Sequence, residues 1–499
     1  MFLDVTGPFF PMPPIESTDR DRVQSLGPAV NNRHTWILAA IVVYGAVFRG
    51  VVLNRPFDYD AEGSGSLNAV LARSYLRFDW SQSHGMPILS LDADRAPSIV
   101  FYPDHPPLVP LLIVPFYKIF GVGEWQTRLP IALTTIGAIL LLYRVLANVD
   151  TARVAVVAAA VFAATPMTLY FGGFADVVGM PLLFAALIAV EGYLRFQREP
   201  RTSTFTQLAV AFTAAGLCDW PAYVLVPVFF AHFVSTRPRR DWGWAAAFVL
   251  FAAALFVAVY AYITLATGNS WTWMADLFAR RSALVGGRGY TWQQWMANAV
   301  RLNARYHTWP LIIALLVWIS FFSFRRAAPA GATVAKMLLA WALVYGIIGS
   351  KALFDHEWAW SVLTPAFAVA AALLLTRLPS SAIACGLIAF AAWTTHAAFT
   401  ELYPRYRDRP FMPTEMAEAV RLAAPDPQDV ALVVGNENEA QLWFYADRPI
   451  RSGIWTIDDF ARRLNDDTVD LMNDCTRGRD TFGSGSFSNI RPTISNPWA

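Results

Sequence analysis

PLVPLLIVPFYKIF (residues 107–120) is apolar enough to enter a membrane, and whether it crosses one sets the side on which every later loop falls. A spanning helix needs about 20 mostly apolar residues, within a range of roughly 17 to 25. This stretch is shorter than that and carries Pro107, Pro110 and Pro115. Proline removes a backbone donor and clashes with the preceding turn. We therefore read 107–120 as a juxtamembrane or re-entrant helix. The runs that do qualify are 36–53, 129–148, 152–171, 177–194, 205–219, 221–235, 242–266, 308–324, 332–350, 359–376 and 381–399. The pair at 205–235 is short for two crossings, but Asp219-Trp220-Pro221 in its middle argues against one unbroken helix.

The arginines test that choice, because cytoplasmic loops carry an excess of Lys and Arg. With 107–120 excluded and the N-terminus cytoplasmic, the basic clusters fall on one side: Arg20/Arg22/Arg33, Arg144/Arg153, Arg195/Arg198/Arg201, Arg237/Arg239/Arg240, Arg325/Arg326 and Arg377. Counting 107–120 as a crossing would put the central clusters outside. The expectation is an all-α polytopic membrane protein of about 11 transmembrane helices with an external C-terminus. The loops 54–128 and 267–307, the turn 351–358 and the segment 400–499 then face outward.

Composition agrees. The chain has 499 residues, of which 56% are hydrophobic and 15% charged, whereas a soluble domain carries about 25% charge. A net charge of +2 without a basic run or stripe does not point to nucleic acid. Cys218, Cys385 and Cys475 form neither CxxC nor zinc spacing. Residues 1–34 read as a polar, proline-rich cytoplasmic segment without a cleavable signal peptide. Residues 35–400 read as the transmembrane domain. The spacing predicts a surface-lying helix over 66–78 and amphipathic interfacial segments within 271–306, where tryptophans anchor at headgroup depth. From 401 to 474 a helix, the buried strand ALVVG (431–435) and AQLWFYADRPIRS predict a small external α/β domain. The Gly/Ser-rich tail 475–499 reads as disordered.

Four external mouths carry ionisable residues. FDYDAEG (57–63) puts Asp58, Asp60 and Glu62 just after the first span. A carboxylate there is ionised at neutral pH and can accept a proton as a general base; singly, such an acid is more often a solvated loop residue. FYPDHPPL (101–108) presents His105 on a proline-restricted turn, suited to a phosphate or sugar hydroxyl. Asp176, in GGFADVVGMP, stands at the rim of the fourth span, where solvation makes an acid cheap. SKALFDHEWAW (350–360) brings Lys351, Asp355, His356 and Glu357 together, and a cation there could hold a phosphate. Arg280, Arg281 and Arg288 are weaker candidates for the same role. The clustered acids admit a divalent cation, but no ligand set demands one.

The order of an acidic motif, His105-Pro106-Pro107-Leu108, Arg128-Leu129-Pro130 and then an Asp after the third span resembles the GT-C glycosyltransferases of the protein O-mannosyltransferase/aminoarabinose transferase type. His356 before Leu363-Thr364-Pro365 and the Asp219-Trp220-Pro221 turn are similar too. The resemblance covers about 50–400 and, weakly, FYADRPIR. It implies inverting transfer of a hexosyl or pentosyl group from a polyprenyl-phosphate donor to a glycan, lipid or protein acceptor. The site would lie on the outer face of a bacterial plasma membrane. Asp60 would be the catalytic base and Asp176 a second acid; His105, Lys351 and His356 would help hold donor phosphate or acceptor. The family usually has adjacent Asp-Glu where this chain has Asp60-Ala61-Glu62, so Asp58, Asp60 and Glu62 all stay candidates. A transporter or lipid flippase would instead place charges at the midplane and show inverted repeats; an inactive GT-C scaffold is the third reading.

Overall fold

The computed structural model describes residues 32–57, 63–89, 100–176, 179–282, 289–323, 330–402, 413–423, 431–434, 439–447 and 450–454. The first long apolar run forms α1 (Asn32–Val52). After it come α2 (Gly63–Arg77) and α3 (Leu108–Phe120), the two juxtamembrane helices of the first long loop. At about 1.5 Å per residue, α3 extends about 20 Å, short of the roughly 30 Å hydrocarbon core.

The helices that follow are α4 (Glu124–Ala147), α5 (Ala152–Ala164), α6 (Pro166–Phe171), α7 (Met180–Arg198), α8 (Thr202–Cys218), α9 (Leu225–Thr236) and α10 (Trp242–Thr267). The amphipathic α11 (Trp273–Arg281) and α12 (Trp292–Tyr306) precede α13 (Trp309–Phe321), α14 (Gly331–Ile348), α15 (Ser350–Asp355), α16 (Thr364–Leu375) and α17 (Ser380–Ala397).

Among the described residues seven helices are long and apolar enough to cross a membrane, or eight if the bent pair α12–α13 counts as one span. The sequence reading of eleven also counts four stretches that the structure makes short or broken. The run 152–171 breaks where Thr165 is extended and Pro166 begins α6. The 205–235 pair becomes α8 and α9, parted by a 3-10 turn over Trp220–Val224 that starts at the extended Asp219. α12 and α13 meet at 111°, because Thr308 adopts φ +72° and Pro310 opens the new helix.

The core lies along α5 and α16, whose alanines and valines are almost all buried. Small residues let helices approach closely where lipid supplies no hydrophobic drive between them. On α7, a Cβ at Gly192 would meet the Leu208 backbone of α8 at 3.3 Å.

The loops sort to two ends. At one, Arg198 donates to the Asn148 carbonyl (2.8 Å), Arg153 to that of Leu378 and Arg237 to that of Gln197. Arg144 and Arg195 share Glu191 there, at 2.8 and 2.6 Å. The opposite end carries α2, α3, α11, α12 and α15.

α2 is the helix expected over 66–78, but it is no surface element. It is buried from Asn68 to Ser74 because α3 packs on one side and α19 (Glu439–Ala446) on the other. α19 packs on α18 (Pro413–Ala423) and links β1 (Ala431–Val434) to β2 (Ile450–Ile454), which pair in parallel with Ala431 opposite Ile450. Arg73 donates to the Phe444 and Trp443 carbonyls at 3.1 and 2.8 Å and pairs with Asp447 at 3.1 Å. Its side chain is 8% exposed. Arg73→Ala is expected to weaken the docking of α19 by about 2–3 kcal/mol, read as faster amide exchange across 439–447 while α5 and α16 stay protected. Residues 1–31 and the tail 475–499 lie outside the described residues.

Candidate functional site

The site grows from the segment between α2 and α3. Phe101 bridges Ile88 in antiparallel fashion, and Tyr102 N–H donates to the Pro87 carbonyl at 2.9 Å. This short pairing fixes the chain just before Asp104-His105-Pro106-Pro107. On the facing side α8 ends at Cys218, and Asp219 turns its carboxylate back over the break; its Oδ1 accepts from Trp220 N–H at 2.8 Å. Trp220 Nε1 donates to the Asp104 carbonyl at 2.9 Å. His105 Nδ1 and Asp219 Oδ1 then stand 2.8 Å apart. Asp219 is 1% exposed, and its Oδ2 is buried with no hydrogen-bond partner among the described residues.

Two arginines of α11 close the other side. Arg280 Nη2 lies 3.3 Å from Asp104 Oδ1, and Arg281 Nη2 lies 3.9 Å from Asp104 Oδ2. Arg281 Nη1 approaches His356 Nε2 at 2.7 Å. A guanidinium can only donate, so Nε2 must be the unprotonated nitrogen and the ring neutral. Electrostatics agree: burial, then the charges of Arg281 and His105, push His356 down to about 4.

The turn bearing His356 is tied to α12, because Trp295 Nε1 donates to the Ser350 carbonyl (2.8 Å) and Asn298 Nδ2 to that of Phe354 (2.9 Å). Glu357 accepts from the Tyr306 hydroxyl. Burial raises Asp355, against the opposing pull of Lys351 and Arg281. Lys351 and Asp355 lie four residues apart, one helical turn on α15.

Asp176 departs from the sequence reading. It is no solvated rim acid: it is 2% exposed, because α2 covers it, and Ser64 Oγ donates to its Oδ2 at 2.6 Å. Asn68 Nδ2 fixes the neighbouring Ala175 carbonyl at 2.7 Å. Burial chiefly raises the Tyr102 phenol, and the charges of Asp104, Arg281, Asp176 and Asp219 act on it in smaller measure.

Asp58, Asp60 and Glu62 lie outside the described residues, as does Arg288; the flanks of the acidic motif do not. Arg128, 1% exposed, donates to the carbonyls of Leu53 (2.9 Å), Arg55 and Pro56 (3.3 Å), and its guanidinium lies 4.5 Å from the Phe57 ring centroid. The Tyr445 hydroxyl accepts from Phe57 N–H and donates to Glu124 at 3.0 Å. The motif is thus entered from a clamped Phe57 and left at Ser64, which is bonded to Asp176. Among the described residues no group of three or more His, Cys, Asp or Glu side chains is placed to hold a metal ion.

Sequence reasoning assigned no role to Asp104, Asp219 or Tyr102. Asp104 and Tyr102 were in plain view inside FYPDHPPL, and Asp219 in the DWP turn. Their partnership was hidden by the sequence separation of 114 positions from His105 to Asp219.

His356 gives a pH expectation. Its folded value of about 4 lies below the ordinary 6.5, so the unfolded chain binds the proton more readily. The stability His356 supports is then complete above about 6.5 and is lost as pH falls toward 4. Thermal unfolding midpoints of the purified protein are expected to drop across that window, and His356→Gln, which keeps an acceptor for Arg281, should flatten the drop. A slope unchanged by the substitution would assign the acid sensitivity to another group.

Comparison with known proteins places the fold. The family model described as dolichyl-phosphate-mannose-protein mannosyltransferase matches residues 104–263, from Asp104 through α10. ArnT from Cupriavidus metallidurans bound to undecaprenyl phosphate is similar in structure at TM-score 0.59 and 17% identity, over 88% of each chain. The same protein in its apo state gives 0.50 and 17%, over 90% of this chain and 91% of that one. The Archaeoglobus fulgidus oligosaccharyltransferase gives 0.45 and 15%, over 83% and 62%. No curated protein sequence matches. The fold is a polytopic helical membrane fold similar to that of ArnT, as the motif order around HPPL and RLP led one to expect.

Proposed function

We propose that this protein transfers a sugar from a polyprenyl-phosphate donor to a hydroxyl acceptor on the outer face of a bacterial plasma membrane, with inversion. One observation carries the reading. Arg280, Arg281, His105 and His356 are gathered with Asp104 and Asp219 at a single mouth, the end of the bundle remote from the Arg144–Arg198–Arg237 loops. A donor with its isoprenoid tail in lipid would bring its phosphate to that mouth. The lipid seen with ArnT, undecaprenyl phosphate, belongs to the same class.

The arginine side chains are 63% and 36% exposed, so N–H donors remain for a phosphate beside those facing Asp104. In the reaction the acceptor oxygen attacks the anomeric carbon from the face opposite the phosphate. Its proton passes to a carboxylate, Asp60 in our assignment. The bond from the anomeric carbon to the phosphate oxygen breaks, and both its electrons leave with the polyprenyl phosphate. Arginines aimed at that oxygen stabilise charge where it develops. Asp176, fixed by Ser64, orients the acceptor side; Lys351 acts on the phosphate through the Asp355 turn. The N-terminus is cytoplasmic, the short helices α5–α6, α8, α9 and α13 complete eleven crossings, and the 401–474 domain stands outside.

The test uses the purified protein in liposomes with a labelled polyprenyl-phosphate sugar. The expected result is release of free polyprenyl phosphate, with the label on acceptor in inverted configuration. Label crossing the bilayer with its sugar–phosphate bond intact would overturn the reading in favour of a transporter.

A further inference from the structure

At the end of the bundle opposite the proposed catalytic mouth, α1, α5 and α17 enclose a groove of about 480 Å³. α1 and α17 both pack on α5 but splay from each other. The gap stays open because Ala40, Ala160, Ala164, Ala384 and Ala391 put only methyl groups into it. Its floor is Val156 and Val157 and its walls are Ile37 and Ile41 against Ile383 and Leu387. From Arg33 to Tyr44 the groove runs along about 16 Å of α1, close to half the roughly 30 Å hydrocarbon thickness. It ends where the Tyr44 hydroxyl and Thr395 Oγ1 meet at 2.8 Å.

The mouth is chemically unlike the rest. Arg33, His34, Arg153 and Ser380 line it, and among the described residues no carboxylate lines any part of the groove. Three helices begin there, α1 at Asn32, α5 at Ala152 and α17 at Ser380. Their dipoles add positive potential to that of the arginines. An apolar channel one leaflet deep, opening on basic side chains and helix N-termini, matches an acyl chain ending in a negatively charged headgroup. Basic pockets between transmembrane helices bind such headgroups.

We propose that this groove is a binding site for one anionic phospholipid of the leaflet facing the arginine-bearing loops. It is separate from the donor site and does not depend on the transfer reaction. A bound acyl chain would fill the space between α1 and α17, and so brace α1, whose other end leads through Arg55 and Pro56 into the acidic motif.

The experiment is native mass spectrometry of the full-chain protein, equilibrated with mixed micelles holding equal phosphatidylglycerol and phosphatidylcholine. One phosphatidylglycerol is expected to stay bound in preference. Arg33→Gln and Arg153→Gln should each lower the retained fraction about fivefold, with thermal unfolding of both variants measured alongside because Arg153 also donates to the Leu378 carbonyl. Ala160→Phe, which fills the groove without changing charge, should abolish retention. Equal retention of the two lipids would overturn the proposal, and so would retention unaffected by both arginine substitutions. Displacement of phosphatidylglycerol by added undecaprenyl phosphate would overturn it too, by making the occupant a polyprenyl lipid.

Discussion

Replacing Asp60 by Asn is expected to lower turnover in sugar transfer by about 10²–10⁴-fold, the usual contribution of a positioned general base, with little change in donor KM. The amide keeps the shape of the carboxylate but cannot take the acceptor proton. Asp58→Asn and Glu62→Gln should cost far less if Asp60 is the base, and the three side by side make the experiment decisive. The segment that carries them is held at both ends, at Phe57 by Arg128 and at Ser64 by Asp176. If Glu62→Gln carries the loss instead, the base moves two residues on. Full transfer in all three variants would remove the acidic motif from the mechanism.

The parts of the fold that could be read from the chain are those that depend on local composition. Residues 107–120 disclosed themselves by length and prolines, and α3 is the short helix they predict. Arginine placement sorted the loops correctly, since Arg144, Arg153, Arg198 and Arg237 do meet at one end. Helix breaks were legible only where a strong signal marked them: Asp219-Trp220-Pro221 was, whereas Thr165-Pro166 inside an alanine-rich run was passed over. The site was legible in its residue types but not in its partnerships. Nothing local says that His105 will face Asp219, that Arg281 will keep His356 neutral, or that α2 will bury Asp176. Each depends on which helices pack, and packing of small-residue seams leaves almost no periodic trace. The C-terminal helix α19 makes the same point: FYADRPIR was read only as part of a small C-terminal domain, and its Phe444 proves to pack on Phe57 and to accept from Arg73.

Arg128→Met is expected to cost about 3–5 kcal/mol of stability, because hydrogen bonds from a charged donor contribute about 1.5–3 kcal/mol each and the substitution leaves the half-buried carbonyls of the 53–56 turn without that donor. In sequence, RLP served only as a family mark. In the structure its arginine holds the end of α1 to the start of α4, and with it the approach to Asp58, Asp60 and Glu62. Transfer should therefore fall with stability but not in proportion. A base displaced by about 1 Å loses on the order of 10²-fold in rate, so turnover drops at temperatures where the protein remains folded. Arg128→Lys separates charge from geometry. An ammonium restores the positive charge beside Phe57 but cannot serve several carbonyls in the plane a guanidinium spans. Thermal unfolding and turnover measured on both variants decide between these causes. If Lys restores full turnover, the charge alone orders the acidic motif; if it restores stability while turnover stays low, the planar fork is what aims the base.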